Sequence, residues 1–84
     1  MTDVGHDLPA LERWLDTLEE RVEQPHLADD ERRRLRNLRD ELASHVLAAQ
    51  VLVTSGASPA TVAPVLERAA ALLDDERRRG SLVA

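Results

Sequence analysis

Leu8, Leu11, Leu15, Leu18 and Val22 follow one another in steps of three, four, three and four residues. An α-helix turns once in about 3.6 residues, so this spacing aligns the five side chains in one seam and predicts a helix over 8–23. Asp7 is suited to cap its start, and Pro9 falls in the first turn, where a missing N–H leaves no bond unmade. Trp14 stands one turn before Leu18 and is expected to lid the core beside the seam. The stretch "EQPHLA" then breaks the rhythm, because Pro25 cannot donate within a helix and disfavours helix at Gln24.

The three-four rhythm resumes at Leu35, Leu38, Leu42, His45, Ala49 and Leu52, predicting a second helix over 29–54. At about 1.5 Å per residue it would be roughly 37 Å long. "SGAS" ends it, with Gly56 free to adopt the left-handed conformation that closes many helices. A third helix over 59–79 aligns Val62, Leu66, Ala69 and Leu73, with Val65 and Leu72 beside them. Its start is open between Ser58-Pro59 and Thr61, since Pro64 is comfortable in a first turn and would kink a helix begun earlier. Gly80 is the expected stop. Residues 1–7 are expected as a disordered tail and 81–84 as a frayed one.

No run of alternating β-branched and polar residues competes with these helices. Short connections turn successive helices antiparallel. The fold class is therefore all-α, an antiparallel three-helix bundle or a long helical hairpin with an extra arm, in one domain over 8–80. In the stretch "LASHVLAAQVLV", Leu42 to Val53, nine of twelve residues are apolar and leave little polar face. A helix apolar on most sides is buried on most sides, and two neighbours cover only part of its circumference. Association through helix two is the simplest remedy, with a second copy as homodimer or with another protein partner. The expected interaction seam is Leu42, His45, Val46, Ala49, Gln50, Leu52 and Val53. A polar residue such as His45 within that seam can set register and partner choice.

Composition narrows the function. The chain of 84 residues has no cysteine, one Trp and no Phe or Tyr, so its core must come from Leu, Val and Ala. All 11 basic residues are Arg, a bias that points to a GC-rich bacterial coding sequence. A formal charge of -5 argues against a general nucleic-acid binder. Nothing approaches the roughly 18 apolar residues of a membrane span. The start "MTDVGHD" lacks the parts of a signal peptide, and a cytoplasmic protein is predicted.

The hexapeptide "DDERRR" occurs at 29–34 and again at 74–79. The first copy sets its acids at the positive start of helix two; the second sets its arginines at the negative end of helix three. An antiparallel chain gathers both at one pole, where opposite charges nearly balance. Candidate anion contacts are Arg32, Arg33, Arg36 and Arg39, because guanidinium forks match phosphate oxygens. Glu41 and His45 have the four-residue spacing of a two-point metal grip, but no further ligands cluster with them, and neither metal nor cofactor is expected. There is no Cys nucleophile, no Gly-rich phosphate loop and no recognised Ser motif. The sequence is thus that of a non-enzymatic adaptor or regulator acting through protein contacts. The alternative is a sensor of an anionic ligand or nucleic acid through the Arg-rich start of helix two.

Overall fold

Each apolar seam needs an interior to face, and the central helix provides it for the other two. A computed structural model describes residues 7–79, which form α1 (Leu8–Val22), α2 (Asp29–Thr54) and α3 (Pro59–Arg78). Among the described residues there is no strand. The helices make an antiparallel three-helix bundle in which α1 and α3 both pack along α2 and touch each other only sparingly. The core joins Leu11, Leu18 and Val22 of α1, Leu35, Leu38, Leu42 and Val46 of α2, and Ala69, Ala70 and Leu73 of α3. Trp14 and Leu15 pack partly buried at its edge. No described helix is long and apolar enough to cross a membrane.

The buried line of α2 runs Leu35, Leu38, Leu42, Val46 and Ala49. It therefore passes through Val46 where a strict three-four rhythm passes through His45. A straight helix has 3.6 residues per turn, so a 3.5-residue repeat drifts off its face within a few turns, and an extra step of four restores it. His45 is left half-buried on the flank.

Helix ends follow local chemistry. Asp7 lies at the start of α1, its Oδ1 accepting from the Ala10 backbone N–H at 3.0 Å. It is thus the cap and not part of a tail; residues 1–6 and 80–84, including the Gly80 stop, lie outside the described residues. The α2 N-cap is Ala28, which offers no side-chain bond, while Asp29, Asp30 and Glu31 complement the helix dipole. At its other end Gly56 has φ 83, its N–H donates to the Val53 carbonyl at 3.0 Å, and Ala57 N–H donates to the Leu52 carbonyl at 2.9 Å. That pair of bonds is a Schellman closure. Helices α1 and α3 each end one residue earlier than the pattern predicts, at Val22 and Arg78.

α3 begins at Pro59, with Thr61 and Val62 N–H both donating to the Ser58 carbonyl. Pro64 consequently stands inside the helix, on an exposed position, and cannot donate to the carbonyl four residues before it. Pro64→Ala should raise stability by about 1 kcal/mol or more, read as a higher denaturant midpoint at unchanged slope. An unchanged or lower midpoint would show that the fixed φ of Pro64 restrains the unfolded chain by as much as the missing bond costs.

Candidate interaction surface

The apolar stretch of α2 does not present the seam that its rhythm marks. Leu42, Val46 and Ala49 are buried within this chain, so α1 and α3 already occupy the face expected to meet a partner. Gln50 is likewise engaged internally, its Nε2 donating to Glu12 Oε2 of α1 at 2.6 Å. His45 and Leu52 are half-buried on the flank. Of the expected seam, only Val53 is open to solvent. The apolar stretch was assigned to a partner, whereas the chain's own helices cover Leu42, Val46 and Ala49.

Two residues that the rhythm skipped carry the surface instead. Leu47 is 60% exposed and Val51 55%. At 100° per residue Val51 lies about 180° around α2 from Leu42, opposite the core. Leu47 and Val51 stand one turn apart as a ridge, with the small exposed residues Ser44 and Ala48 beside them. The signal that marks them in the sequence is their phase: they are large apolar residues on the side where a singly packed helix would be polar.

Val53, 53% exposed, belongs to a second feature. With Ala57, Pro59, Val62, Ala63 and Leu66 it lines an open groove of about 700 Å³ at the pole where α2 ends and α3 starts. Asp7 stands at the rim, and its carboxylate is engaged in capping α1. Because α1 and α3 scarcely meet, they do not close over Val53.

The arginines at the start of α2 do not form one open face. Arg32 folds back on the α1–α2 loop: Nη1 donates to the Val22 carbonyl at 3.3 Å, and Nη2 to the carbonyls of Gln24 at 2.9 Å and Leu27 at 3.3 Å. Its fork thereby satisfies the last carbonyl of α1, at Val22, and two carbonyls of the loop that follows. Arg39 pairs with Asp40 at 3.0 Å, while Arg33 and Arg36 are exposed. Spacing put the four residues near one another; it could not show that a turn five to ten residues upstream supplies better acceptors for one of them.

The two hexapeptides meet at the opposite pole, where Arg34 of the first copy reaches Glu76 of the second at 3.7 Å. Within the second copy Asp74 pairs with Arg77, and Asp75 with Arg78 and Arg79. These side chains are mostly exposed, so each pair contributes about 0–1 kcal/mol. A cleft of about 280 Å³ between α2 and α3 carries both signs of charge, from Arg34, Glu41, Asp75, Glu76 and Arg79. Among the described residues no group of His, Asp or Glu is arranged to hold a metal ion, and Glu41 with His45 stands without further ligands. Comparison of the chain with protein-family models, with curated proteins and with solved structures gave no match.

Proposed function

We propose that this chain is a non-enzymatic helical interaction module, a small cytoplasmic adaptor or regulator that docks a protein partner on the apolar end of α2. One observation carries the reading: Leu47 and Val51, both large, apolar and exposed, stand one turn apart on the face of α2 turned away from the core. Isolated exposed apolar residues are ordinary, but a cluster marks a contact site. Fully burying a Leu or Val side chain favours association by about 1.5–3 kcal/mol before the costs of ordering are met. The anionic-ligand alternative draws less support, because Arg32 is held by loop carbonyls and Arg39 by Asp40.

The test is the double variant Leu47→Glu/Val51→Glu. Its melting should stay close to that of the wild type, since both residues face away from the core. Immobilised wild-type chain should retain a protein from an extract of its host that the variant releases. Equal retention by both would overturn the assignment of this surface.

A further inference from the structure

We infer that the segment before Asp7 folds over the groove between the end of α2 and the start of α3, with Val4 as the side chain that fills it. Residues 1–6 join the described structure at Asp7, and Asp7 itself lines that groove. The joint is fixed in place. The Asp7 carboxylate accepts from the Ala10 N–H at 3.0 Å, and its carbonyl accepts from the Leu11 N–H at 3.2 Å. Its backbone, with φ -94 and ψ 160, is close to polyproline II, in which every third residue returns to the same edge. Continued upstream, that edge carries Val4 and then Met1, the large apolar residues of 1–6.

Reach selects this occupant. At about 3.1 Å per residue Val4 stands roughly 9 Å from Asp7. The groove runs along α3 from Pro59 to Leu66, about 10 Å. Leu82 and Val83, the apolar residues beyond α3, start from the opposite pole. Leu66 lies about 20 Å along the helix from Arg79, and Val83 reaches at most about 14 Å past Arg79. Apart from the Asp7 carboxylate, already engaged as a cap, the lining is uncharged, so it accepts an aliphatic side chain without stranding a charge. A tether of a few residues holds Val4 at an effective concentration of roughly millimolar order, so one side chain occupies a groove that an untethered one would leave. The groove is then a contact of the chain with itself. The α2 ridge is a separate surface, and the inference does not rest on it.

The chain contains no cysteine, so introduced thiols report without background. In the full chain, Val4→Cys/Ala63→Cys should close an internal disulfide on mild oxidation at least about tenfold faster than Val4→Cys/Thr61→Cys. Thr61 is exposed near the same pole but about 160° around α3 from Ala63, so the tether is similar and only the groove differs. Equal rates would overturn the inference. A disulfide formed between chains, with none inside them, would also overturn it and give the groove to a second copy. In the chain without introduced thiols, Val4→Asp should move the methyl resonances of Val62 and Leu66 and leave those of Leu47 and Val51 in place. Unmoved Val62 and Leu66 resonances would remove the contact, while capture of a partner by the α2 ridge would stand or fall by its own test.

Discussion

Leu42→Ala is expected to lower the thermal midpoint of this protein by about 12–24 °C. Leu42 is fully buried halfway along α2, the helix that contacts both others. Truncating it loses the transfer energy of the removed carbons and leaves a cavity that two separate helices must both move to fill. Changes of this kind cost about 2–5 kcal/mol, and about 3 kcal/mol is a fair expectation here. A chain of 84 residues has a total stability of only about 4–13 kcal/mol. In a domain of this size each kcal/mol moves the midpoint by about 4–8 °C. Leu47→Ala, on the exposed side of the same helix, should change stability by no more than about 0.5 kcal/mol. Circular dichroism melts of both variants make the comparison, and a shift under about 5 °C for Leu42→Ala would mean that α1 and α3 do not close over α2 as described.

Arg32→Ala should destabilise the fold by about 1–2 kcal/mol, more than loss of any ion pair at the charged pole. One guanidinium holds three carbonyls across the α1–α2 loop, and no other side chain of the described residues bonds to them. Hydrogen bonds from a charged donor are the stronger kind, but the Gln24 contact is exposed, so water partly replaces it. Arg32→Lys should recover little, because an ammonium is a point charge and cannot bridge three acceptors spread over a turn. The denaturant midpoint should fall, and amide exchange should quicken at 22–28 before it does elsewhere. If exchange in the loop is unchanged, Arg32 does not organise it, and its guanidinium is open to an anionic ligand after all.

The two variants act through different kinds of information. That Leu42 stands on a buried face was legible in the sequence, because helical periodicity is local: residues three and four apart share a face wherever the helix lies. For the same reason the helices, the Asp7 cap and the Gly56 closure could be read within a residue or so of where they occur. The place of Pro64 was legible only as an alternative, since its effect on a helix depends on where the preceding turn begins.

What covers each face was decided by tertiary structure. Periodicity marks α2 as apolar nearly all round between Leu42 and Val53, but carries no information on which arc α1 and α3 take. Packing took the arc of Leu42, Val46 and Ala49 and left Leu47 and Val51 outside. The same holds for Arg32. Its spacing from Arg36 and Arg39 is a property of the chain, whereas the direction of its guanidinium depends on carbonyls delivered by a turn that only the packed α1 and α2 bring within reach. Faces and caps follow from neighbours along the chain; occupancy follows from neighbours in space, and only folding chooses those.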